Sequence, residues 1–271
     1  MRFNYQKKIS KEHDNVELQT FGEHLDVLRK MLFRISALSI FIAFFVFSAK
    51  NKIFNLLLAP CSSDFVTFNA INKFFELIGS SIRIYDSSLE LIATDLPSQF
   101  LAHISISFYV GLLFSSPYIL YELFRFISPA LYENEKRYSF RIIVAIYTLF
   151  VLGLLTSYFL LFPISYRFLA SYSVSENVKT MITLDSYIST FISLTLLMGI
   201  VFQLPILTFF LSKIGTINST IMKEYRKHAF VLILVVAAII TPPDVMTLIL
   251  VSFPLYMLYE LSIIVAKFTE K

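Results

Sequence analysis

Residues 142–162 read IIVAIYTLFVLGLLTSYFLLF and contain no charged side chain. A helix of this length reaches about 31 Å, which is enough to cross a hydrocarbon core of about 30 Å. A soluble domain needs a polar surface, yet only 15% of the 271 residues are charged and 56% are apolar. The stretch therefore predicts a membrane-spanning helix and excludes a soluble globular protein.

Similar apolar runs recur along the chain and predict an all-α membrane protein with six spans. They cover about residues 31–47, 100–126, 142–162, 187–211, 229–240 and 245–259. Pro117 is expected to kink the second span, and Pro163 to close the third. The last two runs are too short for an ordinary bilayer, which leaves local thinning or one re-entrant hairpin. Two spans are favoured, because the chain then ends beside Lys267 and Lys271.

The segments outside the spans are predicted from charge and periodicity. Residues 1–23 form a charged tail, for which we expect disorder. Apolar residues at helical spacing in 21–32 predict an amphipathic helix that lies on the membrane surface and runs into the first span. The loop 48–99 is long, and the spacing from Phe65 to Ile78 predicts a helix there. That helix either lies on the membrane or caps the bundle, and the cap is favoured. We treat residues 1–271 as one membrane domain.

The distribution of charge predicts the orientation. Of the 23 Lys and Arg residues, 17 fall on the side that holds the N-terminus, the loops 129–141 and 212–228, and the C-terminus. The positive-inside rule therefore places both termini in the cytoplasm. The polar residues 1–34 predict no cleaved signal peptide. The single cysteine, Cys61, excludes an intrachain disulfide, and the dispersed positive charge does not indicate nucleic acid.

Motifs of catalysis are missing from the sequence. We find no phosphate-binding loop, zinc motif or nucleophile elbow, and the four histidines are scattered. The sequence therefore predicts no enzyme, no metal site and no cofactor.

Carboxylates near the first span and in the loop 129–141 are more informative. They either pair with neighbouring cations or bind basic residues of a partner, because arginine pairs bidentately with carboxylates. The carboxylates are Glu23, Asp26, Glu133 and Glu135, and their neighbours are Arg29, Lys136 and Arg137. From spacing alone, pairing with the neighbours is favoured.

Other polar residues fall inside or beside the predicted spans. Gln203 lies within the fourth span, where an amide facing lipid would be unsatisfied, so it should face a partner, a recess or another span. Glu122 and Glu260 lie nearer the cytoplasmic interface, where snorkelling is cheap. Asp244 follows Pro242 and Pro243, which is typical of a turn or cap residue.

Several short motifs, in the same order, resemble the TatC family, the large integral subunit of the twin-arginine protein translocase. The loop FISPALYENEKR at 126–137 and the turn TPPDV at 241–245 carry most of the resemblance. HLDVLR at 24–29, IATD at 92–95 and FQLP at 202–205 also match, and Pro60 fits a family proline. The resemblance covers about residues 20–268.

The resemblance implies a concave, glove-like bundle of six helices that is a receptor for protein export and not an enzyme. Its expected ligands are twin-arginine signal peptides of folded cargo. Its expected partners are single-span TatA- and TatB-type subunits, membrane lipid and further copies of itself. Transport would be driven by the proton-motive force across the cytoplasmic (inner) membrane, without cofactor or nucleic acid.

The resemblance also implies roles for individual residues. Glu135 would engage the paired arginines, and the residues implied around it are Asp26, Arg29, Phe126, Pro129 and Tyr132. Gln203 and Pro205 would contact partner helices. The structural positions implied on the outer side are Pro60, Pro242, Pro243 and Asp244. Val27 stands where the family usually has a second carboxylate, so Asp26 or Glu23 are the expected substitutes.

Two other functional classes remain as alternatives. A transporter of small solutes or ions predicts buried charge at mid-membrane and discontinuous helices, and the sequence offers mainly Gln203 and prolines there. A membrane assembly scaffold would bind partner helices without recognising cargo.

Overall fold

The structure is a computed structural model that describes residues 21–62, 64–79, 91–127, 139–173, 175, 180–241 and 244–270. Its first elements are α1 (Phe21–Ser48), α2 (Lys50–Leu58), a 3-10 turn (Ala59–Cys61), α3 (Val66–Leu77), β1 (Leu91–Ile92) and α4 (Ser98–Ile127). The third span comprises α5 (Ser139–Thr156), a π-helical segment (Ser157–Leu161) and α6 (Phe162–Ser171). The remaining elements are β2 (Ile182–Thr183), α7 (Leu184–Val201), α8 (Leu204–Lys213), α9 (Ser219–Glu224), α10 (Arg226–Ile240) and α11 (Val245–Thr269). The charged tail 1–20 lies outside the described residues.

Five helical segments in the described ranges are long and apolar enough to cross a membrane. They are Leu25–Ser48, Ser98–Phe126, Phe140–Ser171, Leu184–Lys213 and Val245–Thr269. Their outer surfaces are apolar, as on α1, where Phe33 is 77% and Phe44 72% exposed. Such rings are stable when they face lipid rather than water. The prediction of an all-α membrane protein is confirmed, and α10 provides a sixth, shorter segment.

α1 and α4 form an antiparallel pair in close contact. A Cβ added at Gly111 would lie 2.8 Å from the Ala43 backbone, which shows how closely the two helices approach. Towards the end of α1, the ring of His103 stacks on Phe47. The helix predicted over 21–32 is the first part of α1, which runs unbroken from Phe21 to Ser48 and so continues into the first span as predicted. No glycine or proline after Gly22 interrupts α1. The position of residues 21–32 on the membrane surface stays a prediction.

The third span continues beyond Pro163, so the prediction that this residue closes the span is wrong. The π-helical segment Ser157–Leu161 directly precedes α6, and Pro163 lies in the first turn of that helix. A proline cannot donate to the preceding turn and clashes with its carbonyl in a regular α-helix. A π segment changes the hydrogen-bond spacing at that point, and the helical chain can therefore run on to Ser171. α4 likewise continues through Pro117.

α3 caps the bundle on the side opposite to the N-terminus, as predicted. The ring of Phe65 stacks on Phe159 at 5.8 Å between centroids, and Thr67 Oγ1 donates to the Phe159 carbonyl. Phe68 is buried, with the guanidinium of Arg167 5.1 Å from its ring centroid. Aromatic contacts and a cation–π contact thus hold the loop on the third span.

A short parallel pairing joins the loops that precede α4 and α7. Leu91 pairs with Ile182, and Ile92 pairs with Thr183. Beside it, Ser98 Oγ donates to Asp185 Oδ2 at 2.8 Å, which links the first turns of the two helices. This sheet could not be predicted from the sequence, because two-residue strands have no measurable alternation.

The last two helices differ in length. α10 has 15 residues and reaches about 22 Å, so the predicted short fifth span is confirmed. The predicted short sixth span is wrong as a helix, because α11 has 25 residues. It continues because its final turns pack on α9, where Tyr259 Oη donates to the Met222 carbonyl at 2.7 Å and Ile263 is buried. Only the part of α11 before Glu260 runs beside α10.

Candidate functional site

An open groove of about 820 Å³ lies on the side of the N-terminus. Its described lining comes from α1 and consists of Asp26, Val27, Arg29, Lys30, Leu32, Phe33, Arg34 and Ser36. Asp26 and Arg29, both predicted as site residues, are exposed in this groove. The described lining carries three cations and one carboxylate.

A buried carboxylate lies next to this groove. Glu122 is 3% exposed, and its Oε2 accepts from Arg34 Nη2 at 3.1 Å. Its other oxygen, Oε1, accepts from Tyr118 Oη at 2.8 Å. The carboxylate of Glu122 is thus paired inside the helix pair rather than exposed at the interface. A cation and a hydroxyl together offset the cost of removing this charge from water.

The Arg34–Glu122 pair fixes which ends of α1 and α4 lie together. Phe126 is one helical turn beyond Glu122, and Asp26 is about two turns before Arg34. Phe126 is half-buried. The start of the loop 126–137 and the groove therefore share one end of the bundle. Pro129, Tyr132 and Glu135 lie outside the described residues.

A second cluster of the same composition joins α10 and α11. Arg226 Nη2 contacts Glu260 Oε2 at 2.7 Å, and Tyr256 Oη donates to Glu260 Oε1 at 3.1 Å. In both clusters a tyrosine precedes the glutamate by four residues, and the arginine comes from the neighbouring helix. Sequence reasoning missed both, although the Tyr-x-x-x-Glu spacing places the two side chains on one helix face and would have given a signal.

Gln203 lies at a break in the fourth span. α7 ends at Val201 and α8 begins at Leu204, with Pro205 buried in its first turn. Gln203 Nε2 donates to the Ile146 carbonyl of α5 at 3.1 Å. The amide oxygen of Gln203 is buried and has no hydrogen-bond partner among the described residues. Such an acceptor at membrane depth is costly until a donor reaches it.

The outer positions implied by the resemblance have structural contacts. Asp244 Oδ1 accepts from the Thr247 amide at 2.7 Å and so caps α11, which confirms a turn or cap residue. Pro60 is buried in the 3-10 turn. Burial raises the pKa of the neighbouring Cys61 thiol. Pro242 and Pro243 lie outside the described residues.

Within the described ranges, no group of three or more His, Cys, Asp or Glu residues could hold a metal ion.

Lipid-facing apolar helices, with charged groups paired near helix ends, define a multi-pass α-helical membrane protein. A family model described as Sec-independent protein translocase protein (TatC) matches residues 23–254. This match spans most of the sequence, and the chain therefore belongs to the TatC family.

Individual relatives agree with this assignment. The chain is 36% identical over 255 residues to the Sec-independent protein translocase protein TatC of Blattabacterium sp. subsp. Periplaneta americana, covering 93% of this chain and 96% of the relative. It is 36% identical over 179 residues to TatCy of Bacillus subtilis, covering 66% and 70%. A crystal structure described as the twin arginine translocase receptor TatC superposes with a TM-score of 0.72 at 32% identity, covering 92% of this chain and 100% of that one.

Membership of this family defines the broad role of the protein. It is a subunit of the Sec-independent, twin-arginine protein translocase and takes part in protein transport. The relatives are named as translocase proteins, which does not favour the alternative of a small-solute transporter.

Substitution of Asp244 tests the cap of α11. Asp244→Ala removes the acceptor for the Thr247 amide, and we expect a loss of about 1 kcal/mol of stability. Asp244→Asn keeps the acceptor and serves as the matched control. The measurement is thermal unfolding of the purified proteins in detergent, and equal melting temperatures for the Ala and Asn variants would contradict the capping role.

Proposed function

We propose that this protein is the translocase subunit that binds twin-arginine signal peptides of folded cargo and nucleates the translocation complex. Binding takes place on the cytoplasmic side, and the proton-motive force drives the transport that follows. The protein lies in the cytoplasmic (inner) membrane with both termini in the cytoplasm. This topology is supported by 17 of the 23 basic residues falling on the side of the N-terminus.

The observation that carries this proposal is the groove beside α1. It is open, it holds the exposed carboxylate of Asp26, and it lies at the end of the bundle where α4 leads into the loop 126–137. A peptide approaching from the cytoplasm would therefore meet residues of two family motifs at one place. Leu32 and Phe33 give the groove apolar surface beside its charges, which suits a signal peptide.

Carboxylates at this end would bind the two guanidinium groups. Glu135 takes the principal contact, and Asp26 supplies a further charge where Val27 leaves a gap. Arg29, Phe126, Pro129 and Tyr132 shape the surroundings. Charge-assisted pairs are strong near a low-dielectric interface, and arginine binds carboxylates with two parallel hydrogen bonds. Lysine cannot form this fork, which explains a preference for arginine.

Gln203 is the proposed contact for a partner helix of the TatA or TatB type. Its buried amide oxygen has no donor among the described residues, while its nitrogen is held by Ile146. A polar side chain of a single-span partner could supply that donor inside the membrane. Pro205 maintains the break that exposes this position. Membrane lipid and further copies of the chain complete the proposed assembly.

Removal of the Glu135 carboxylate tests signal recognition. We expect Glu135→Ala to weaken binding of a fluorescent twin-arginine peptide at least tenfold, since a charge-assisted pair is worth roughly 1.5–3 kcal/mol. Affinity is measured by fluorescence anisotropy on the full chain in nanodiscs.

Glu133→Ala is the matched control for this experiment, because it removes a carboxylate from the same loop. We expect the control to bind within about twofold of the parent protein. Unchanged affinity in Glu135→Ala, or equal losses in both variants, would contradict the role of Glu135.

Two substitutions of Gln203 separate its two hydrogen bonds. Gln203→Leu removes both, and we expect it to reduce co-purification of a single-span partner severalfold. Gln203→Glu keeps an acceptor oxygen but loses the donor to Ile146, so it should retain the partner while lowering the melting temperature. Full retention of the partner by Gln203→Leu would contradict the partner contact.

A further inference from the structure

We propose that Glu122 is an additional acceptor for a guanidinium of the signal peptide, and that Arg34 occupies it until the peptide arrives. This inference rests on the proposed function, because it concerns the same ligand and the same groove. It adds a further carboxylate, beside Glu135 and Asp26, to a site in which Val27 replaces one. The exchange would replace one arginine by another on a carboxylate that stays in place.

The two members of the pair differ in their exposure. The side chain of Glu122 is 4% exposed, whereas that of Arg34 is 48% exposed and lines the groove. Tyr118 holds the carboxylate in position from the other side. The anion is therefore fixed and buried, while the cation that covers it borders open space. Of the two partners, Arg34 is therefore the one that an incoming cation in the groove would meet first.

The contact between Arg34 and Glu122 is weaker than the contact that an arginine and a carboxylate can form. Among the described residues, Arg34 reaches the carboxylate through a single nitrogen, Nη2, at 3.1 Å. Arginine and carboxylate groups form stronger bidentate pairs when their planes are aligned. A peptide arginine with free approach can adopt that geometry. The buried carboxylate keeps a positive partner throughout, so the exchange avoids an unpaired charge in the membrane.

The position of Arg34 on α1 connects it with the rest of the site. Val27 and Arg34 are seven residues apart, which places them on the same helix face about 10 Å apart along the axis. Both line the groove, as does Asp26. Among the described side chains of α1 and α4, the carboxylates are Asp26 and Glu122. Asp26 lines the groove, and Glu122 lies behind Arg34, which also lines it.

The α10–α11 cluster provides a control with the same chemistry. Arg226, Glu260 and Tyr256 repeat the arrangement, but none of them belongs to the described lining of the groove. A purely structural ion pair should behave alike in the two places. If guanidinium exchange takes place, removal of the carboxylate should lower the affinity for the twin-arginine peptide at Glu122 and not at Glu260.

The test compares Glu122→Gln, Arg34→Gln and Glu260→Gln in the full chain in nanodiscs. The probes are a twin-arginine peptide and its twin-lysine counterpart. We expect Glu122→Gln to weaken twin-arginine binding about tenfold, because it removes a charge-assisted acceptor. Arg34→Gln should bind as tightly as the parent or tighter, since it removes the competing cation. Glu260→Gln should bind like the parent.

Several results would overturn this inference. Equal losses in Arg34→Gln and Glu122→Gln would show a structural pair alone, and so would unchanged affinity in Glu122→Gln. If Arg34→Gln does not fold, Arg34→Lys replaces it in the test. We expect Arg34→Lys to bind the twin-arginine peptide as tightly as the parent or tighter. A loss of affinity equal to that of Glu122→Gln would contradict the exchange. Melting temperatures monitor folding in every variant.

Three further outcomes have distinct meanings. A parent protein that binds the arginine and lysine peptides equally would contradict the proposed function itself. If the parent prefers the arginine peptide but Glu122→Gln binds it as tightly as the parent does, the exchange is overturned and the proposed function stays intact. In the third outcome, phosphatidylglycerol is retained by the parent but lost from Arg34→Gln, while Glu122→Gln binds the peptide as tightly as the parent does. That result would assign the groove to an anionic lipid and overturn the exchange.

Discussion

The absence of water from the hydrocarbon core is the constraint on which the rest of this structure depends. Each backbone polar group must find a partner within the protein, so the spans are helices and their irregular points need compensation. The π-helical segment before Pro163 retains a helical chain where an α-helix would be interrupted. At the break before Leu204, the amide of Gln203 reaches the Ile146 carbonyl. The break in the helix therefore lies beside Gln203, the proposed contact for a partner helix.

Paired charge follows the same constraint, most strictly at the buried Glu122, whereas Glu260 is only half-buried. Glu122 and Glu260 each receive one arginine from a neighbouring helix and one tyrosine from their own. Charges paired in this way can remain inside a helix pair, and they fix which helix ends lie together. The first cluster borders an open groove, and its arginine is partly exposed to it. The same interaction that joins α1 and α4 therefore also brings a buried carboxylate close to a site for an external cation.

Much of the fold could be predicted from the sequence, because apolar runs of membrane length leave few alternatives. Helix ends were harder, since they depend on tertiary contacts. α11 extends past Glu260 because α9 packs on it, and the third span passes Pro163 through a π-helical segment. Motif residues Asp26 and Gln203 were found from the sequence. The pairing of Arg34 with Glu122 was not, because the partners are distant in the chain and the local spacing of Tyr118 and Glu122 does not identify the arginine.

Twin-arginine peptides are proposed to bind in the groove beside α1. The most direct measurement places a photo-reactive amino acid at Val27, which lines that groove, and another at Leu96, which is fully exposed near the start of α4 at the opposite end of the bundle. We expect a twin-arginine peptide to cross-link at Val27 and not at Leu96, and lysine substitution of both arginines to abolish the cross-link. Cross-linking at Leu96 instead, or at Val27 regardless of the arginines, would contradict this proposal.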